Sequence, residues 1–305
     1  MSTSRTRVRP RAAAVLTALT LALLPVAPAG AVSTGPTGAV AGEGARQIPL
    51  QGAVNVRDLG GHLTYDGKRT RYGVAYRADA LGRLTEADVA TLAGLRLGKA
   101  VDFRIPLEVQ QDGQDRLPPG VIPVPRPVTD NGLYQQLYAA IGSRDPVRQE
   151  EMLGGGRAAA FMRAVYPAFV NDPANRERFA ATVRDVAAGG RAVLFHCTAG
   201  KDRTGWLSYV LLRAVGVPAA TAERDYLASN GYRAAYDAKV REGLKQAGLM
   251  QNPDLIIPLQ EVRDEYLAGA LAEVERLYGG FGGYLTKGLG LEPQVLVALR
   301  AKLVE

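Results

Sequence analysis

The run Ala192–Phe195 (AVLF) is wholly apolar. The ten residues after it, His196-Cys197-Thr198-Ala199-Gly200-Lys201-Asp202-Arg203-Thr204-Gly205, lead directly into a helical pattern carrying Trp206, Leu207, Val210, Leu211 and Leu212. A strand with no polar position is one buried on both faces, so it belongs inside a sheet covered by helices. A short glycine-bearing turn from such a strand into a helix is an α/β device. It also has an electrical consequence. Successive backbone N–H groups and the positive end of the helix dipole converge on one concavity, which suits an anion.

The rest of the chain fits a central, mostly parallel sheet flanked by helices. Short strands are expected at Gly73–Tyr76, Lys99–Phe103 and Val121–Val124. Between the first two, Thr85-Glu86-Ala87-Asp88 reads as a capped helix start, and Val89, Leu92 and Leu95 follow at helical spacing. Residues 131–170 read as helical in two pieces broken at Gly154-Gly155-Gly156. Asp172-Pro173 then opens a helix that stops at Gly189-Gly190.

The N-terminus reads as a targeting segment. Arg5, Arg7, Arg9 and Arg11 precede an apolar run, Ala12–Leu24, that is shorter than the ~20 residues a membrane span needs. Small residues through Ala29 and Ala31 complete a secretory signal peptide over residues 1–31, with no stable membrane anchor expected. Its removal takes four arginines and no acidic residue, lowering the formal net charge from +7 to +3. That bias suits small anions and argues against a nucleic-acid partner. Residues 32–46 read as a flexible linker, and residues 47–305 as one domain. Secreted chains often pair their cysteines, yet Cys197 stands alone. A lone thiol kept in an oxidising compartment points to chemistry.

The residues around it fit phosphoryl transfer. Gly200 lets the loop backbone come close to phosphate oxygens. Arg203 offers a planar fork able to hold two of those oxygens at once. The same positive environment favours the thiolate of Cys197 and its attack on phosphorus. Thr204 is placed to donate a hydrogen bond to the departing sulfur, while His196 belongs to the strand and orients the loop. Thr198, Ala199, Gly200 and Lys201 complete the cradle. Sulfur transfer or redox chemistry would use the thiolate without requiring Arg203 or Thr204. With two histidines and one cysteine the chain has no zinc-ligand set, and no metal or other cofactor is expected.

The loop resembles that of the cysteine-based tyrosine phosphatase superfamily, Cys-x5-Arg-Ser/Thr. More closely it is similar to the secreted bacterial tyrosine/serine phosphatases that share His-Cys-x-Ala-Gly-Lys-Asp-Arg-Thr-Gly. Asn55-Val56-Arg57-Asp58-Leu59-Gly60-Gly61, Tyr76–Asp79, Val101–Arg104, Asp225–Asn230 and Tyr278–Leu285 extend the resemblance over most of residues 47–300. It implies a phosphotyrosine-phosphatase-like domain with a helical lid, here residues 131–170. It also implies action on phosphotyrosine, sometimes on phosphoserine or phosphothreonine, and in some members on phosphoinositides. Lys201 bears on the last of these, as an extra cation for a substrate with several phosphates.

Two aspartates compete as the acid that protonates the leaving oxygen. Asp130 begins the supposed lid, and Asp202 lies in the loop itself; Asp130 is the preferred candidate, with Asp202 structural or sharing the task. Arg57 and Asp58 are expected to brace the site near the Gly60-Gly61 turn, and Asp102 and Arg104 to pair beside the loop. His62 is expected to be exposed and without a role.

Overall fold

A computed structural model describes residues 46–305. The signal peptide expected at 1–31 and, apart from Arg46, the linker expected at 32–46 lie outside the described residues. In chain order the elements are β1 (Arg57–Asp58), β2 (Ala75–Ala78), α1 (Glu86–Gly94), β3 (Leu97–Asp102), α2 (Pro106–Asp112) and β4 (Ile122–Pro125). Then come α3 (Leu133–Ser143), α4 (Pro146–Leu153), α5 (Arg157–Asn171), α6 (Pro173–Ala188), β5 (Ala192–His196), α7 (Arg203–Ala214) and α8 (Ala219–Gln246). Four helices close the chain: α9 (Ile257–Gln260), α10 (Asp264–Tyr278), α11 (Phe281–Gly283) and α12 (Pro293–Leu303).

The five strands form one sheet in the order β1-β2-β5-β3-β4. β1 runs antiparallel to β2, and every other pairing is parallel. β5 is central and buried at all five positions, as its composition requires. Its alternate residues enter different cores. Val193 and Phe195 join the large cluster under α5, α6 and α7, while Ala192 and Leu194 join a smaller one with Leu92 of α1 and with Val56. The two-residue period of the strand thereby ties both layers to one segment. His196 lies level with Ala78 of β2 and Asp102 of β3, so three parallel strands end together. In α/β sheets the carboxyl ends of such strands are where ligands bind.

Local signals place the helices. Thr85 Oγ1 accepts from Asp88 N (3.2 Å) and Asp88 Oδ2 accepts from Thr85 N (2.9 Å), a reciprocal cap on α1. Asp172 accepts from the N–H groups of Ala174 and Asn175 at the start of α6. Residues 131–170 form three helices instead of two. The extra break falls at Arg144, where the backbone turns left-handed (φ 54°) and Asp145 caps a helix opened by Pro146. It is the same Asp-Pro signal that opens α6, and proline cannot continue a helix already under way. α5 is also part of the core: Met162, Val165, Tyr166, Phe169 and Val170 are buried in the large cluster. α3 and α4 bury fewer side chains. His62 is buried, contrary to expectation, because its chain folds back through Thr70 and brings the ring to 4.0 Å from Asp225 of α8.

Candidate active site

Cys197 is the first residue beyond β5 and is 1% exposed. The loop it opens is held from outside by its carbonyls. Ala199 O accepts from Asn55 Nδ2 (3.1 Å) and Arg233 Nη1 (3.2 Å). Gly200 O accepts from Asn55 Nδ2 (3.0 Å) and Arg77 Nη2 (2.8 Å), and Thr198 O accepts from Ala80 N (3.1 Å). With these carbonyls drawn away, the loop's N–H groups are left for the concavity before α7. Among the described residues none of them, from Thr198 to Asp202, donates to a backbone acceptor.

Gly200 also meets a constraint inside the fold. Its φ is +64°, and a Cβ there would lie 2.3 Å from Ala78 O and 2.6 Å from Asp79 N. The close approach is to the end of β2, and the backbone sits in the left-handed region that favours glycine. Gly200→Ala is therefore expected to destabilise the domain by roughly 2–5 kcal/mol through strain and overpacking. A urea denaturation curve with an unchanged midpoint would contradict this.

Arg203, the first residue of α7, is 7% exposed and grips a residue the sequence reading did not single out. Nη1 donates to Glu108 Oε2 at 2.6 Å, and Nη2 donates to Glu108 Oε1. Nη1 also reaches Phe103 O (3.2 Å) and Val128 O (3.3 Å). Glu108 is 1% exposed; its oxygens also accept from Thr198 Oγ1 (2.7 Å) and Ile105 N (2.8 Å). Burial opposes ionisation of Glu108, but the Arg203 charge together with the hydrogen bonds from Arg203, Thr198 and Ile105 outweighs it and holds the carboxyl below its ordinary range. A fork-on-fork pair fixes the guanidinium plane.

His196 points away from the loop. Its Nε2 lies 2.8 Å from Asp115 Oδ2 and 3.8 Å from Asp102 Oδ1. Arg104 joins the cluster through Asp102 (2.8 Å) and Asp115 (2.8 Å), giving the expected Asp102–Arg104 pair. The guanidinium supplies the positive charge that three such ligand-type groups would otherwise draw from a metal. Burial disfavours the charged ring, but Asp115 and Asp102 outweigh it, so His196 is raised above its ordinary 6.5 and Asp115 is lowered. A raised histidine contributes stability below its unfolded value and loses it as pH rises through the folded one. The stability gap between the wild type and Asp115→Asn should therefore narrow from pH 6 to pH 9. Thermal melts showing a constant gap would remove the ion pair from the account.

Lys201 is 2% exposed and turned inward. Its Nζ lies 2.9 and 2.8 Å from the two oxygens of Asp202 and 3.1 Å from Glu261 O. Asp202 Oδ1 also accepts from Tyr166 Oη (2.8 Å), which lies 2.7 Å from Tyr226 Oη. Asp130 is 5% exposed, and each of its oxygens takes a backbone N–H, from Gly132 (3.0 Å) and Tyr134 (2.8 Å), at the start of α3. The Thr204 hydroxyl is buried and has no partner among the described residues. Asp58 braces the turn as expected, accepting from Gly60 N (2.8 Å) and Gly73 N (2.7 Å). Arg57 turns to Asp225 instead, at 3.0 Å.

A buried thiol therefore opens a loop whose carbonyls are tied outward, with a clamped arginine six residues on. The model of the tyrosine phosphatase family covers residues 48–305. The chain belongs to that family. It is a protein tyrosine phosphatase, and so a hydrolase. A Cupriavidus necator protein classed as a tyrosine-protein phosphatase is 32% identical over 252 residues, 82% of this chain and 86% of the relative. The triple specificity protein phosphatase PtpB of Mycobacterium tuberculosis is 30% identical over 261 residues, 79% of this chain and 92% of that one. A tyrosine-protein phosphatase of Nostoc commune is 30% identical over 240 residues, 74% and 73% of the two chains.

In this phosphatase the residues that sequence reasoning missed are Glu108, Asp115, Tyr166 and Arg233. Glu108 follows Pro106 as the third residue of α2, a helix-start signal legible in the chain. Its partner, 95 residues away, was not.

Proposed function

We propose that the enzyme hydrolyses phosphate monoesters in two steps through a phosphocysteine on Cys197. The thiolate attacks phosphorus as the P–O bond to the leaving group breaks. Water then attacks the phosphocysteine, and inorganic phosphate leaves with the thiolate restored. Arg203 and the N–H groups of Thr198, Ala199, Gly200 and Lys201 hold the phosphoryl oxygens. Thr204 serves the sulfur as it departs, and His196 and Thr198 keep the loop in register. The observation that carries this reading is the buried Cys197 at the start of a loop whose carbonyls are tied outward and whose N–H groups find no backbone acceptor among the described residues.

For the leaving-group proton the reading takes Asp202. Its partners are the Lys201 and Tyr166 side chains, which can rearrange, whereas both Asp130 oxygens are spent capping α3. Phosphotyrosine is the preferred substrate, with phosphoserine and phosphothreonine as further ones; the name of the Mycobacterium tuberculosis relative supports a broad range. The enzyme acts outside the cell, after loss of residues 1–31. The case for phosphoinositides rested on Lys201, whose charge is met by Asp202; they therefore enter the experiment as a comparison.

The test is phosphate release by residues 32–305 from a phosphotyrosine peptide, a phosphoserine peptide and phosphoinositide vesicles, beside Asp202→Asn and Asp130→Asn. Release should be fastest from phosphotyrosine. Asp202→Asn should lower it roughly 10²–10⁴-fold, and lower hydrolysis of p-nitrophenyl phosphate, whose leaving group needs no proton, far less. A phosphoinositide rate above the phosphotyrosine rate would reverse the substrate assignment. The same leaving-group contrast appearing in Asp130→Asn would transfer the acid's role to that residue.

A further inference from the structure

Around the loop nearly every cation has a carboxylate of its own. Arg203 has Glu108, Lys201 has Asp202, and Arg104 with His196 faces Asp102 and Asp115. Arg57 of β1 and Arg77 of β2 depart from that pattern. They share one carboxylate, Asp225 of α8, at 3.0 and 2.6 Å, with all three side chains 1% exposed or less. Asn55 and Ser229 add hydrogen bonds and no charge. His62, beside Asp225, is pushed down to about 4 by its burial and is neutral near pH 7. Two buried guanidiniums on one carboxylate leave a positive charge without a counter-charge, which is unfavourable unless another anion faces it.

The contacts of Arg77 lead to the loop that follows β5. Arg77 Nη2 donates to Gly200 O at 2.8 Å, its Nε has no partner among the described residues, and β2 runs beside β5 with Ala78 level with His196, the residue before Cys197. We propose that Arg77, a positioning residue outside the loop, supplies the uncompensated positive charge that holds Cys197 as a thiolate while its hydrogen bond orients Gly200. The inference rests on the reading of Cys197 as the nucleophile. The other flank of the loop provides a natural control. Arg233 Nη1 bonds Ala199 O in the same way (3.2 Å), but Arg233 lies between Asp237 (2.6 Å) and Asp79 (3.6 Å) and has no charge to spare. The two arginines make similar tethers with opposite charge balance.

Cys197 is the sole cysteine, so alkylation of the protein by iodoacetamide reports this site alone. The rate would be followed against pH for the wild type, Arg77→Met, Arg233→Met and Asp225→Asn. Arg77→Met should move the midpoint up by about one pH unit or more, as loss of a nearby opposite charge does. Arg233→Met should stay with the wild type. Asp225→Asn should move the midpoint down, because it removes the only carboxylate the two arginines share. Should Arg77→Met fail to fold, the Asp225→Asn shift decides alone, and a shift that is upward or absent overturns the proposal. Equal upward shifts in Arg77→Met and Arg233→Met would also overturn it, since they would mean a disturbed loop. Phosphate release measured on Cys197→Ser keeps the two readings apart: turnover that survives this change rejects the nucleophile and leaves the alkylation result standing.

Discussion

Cys197→Ser stops catalysis and leaves binding in place. Turnover is expected to fall roughly 10⁴–10⁶-fold, the scale seen when a nucleophile is removed. The substituted hydroxyl would need a base to take its proton, and the nearest candidate is turned away. His196 Nε2 lies against Asp115 on the far side of the strand end. The cradle itself depends on Asn55, Arg77, Arg233 and Glu108, none of which the substitution touches. The variant should therefore bind a phosphotyrosine peptide with an affinity within a few-fold of the wild-type KM and hold it unhydrolysed. Isothermal titration with the peptide, beside a phosphate-release assay, reads both quantities. Residual turnover above about one per cent would sink the covalent mechanism.

Glu108→Ala should damage stability and catalysis together. The pair it breaks is buried on both sides, with Glu108 1% and Arg203 7% exposed. Removing one partner of a buried pair leaves the other charge uncompensated, at about 3–5 kcal/mol. Thr198 Oγ1 and Ile105 N lose an acceptor in the same step. With its plane no longer fixed, Arg203 cannot present its donors to the phosphoryl group in advance. The expected loss in kcat/KM is roughly 10²–10³-fold, similar to that for one oriented donor in an oxyanion site. The double change Glu108→Ala/Arg203→Ala provides the check. It should be more stable than Glu108→Ala alone, because the orphaned charge has gone with its partner. Urea denaturation that finds the double variant less stable would mean the pair contributes packing and not charge balance.

The two predictions concern residues that were unequally visible in the chain. Cys197, Arg203 and Thr204 sit within one short stretch between an apolar strand and a helix, so they stood out as site candidates from local spacing. Asn55, Arg57 and Arg77 were noticed through resemblance, but their contacts were not. Arg57 was expected at the Gly60-Gly61 turn and instead pairs with Asp225, 168 residues on. Lys201 had the look of a free cation beside the phosphate site; the fold places Asp202 and Glu261 O against it. His62 was taken for a surface residue because its neighbours are glycines, and the return of the chain through Thr70 buries it.

The sequence alone determined the layered sheet, the position of the loop between β5 and α7, and the caps of α1 and α6. Each of these depends on residues a few positions apart, where backbone geometry translates spacing directly into structure. Tertiary structure alone decided which carboxylate meets which cation around the loop: Glu108 with Arg203, Asp202 with Lys201, and Asp225 with both Arg57 and Arg77. Those pairings join segments 95, 148 and 168 residues apart, apart from the neighbouring Lys201 and Asp202. Charge acts through space and is strongest where water is excluded, so its balance at Cys197 exists only once the strands and α8 have packed.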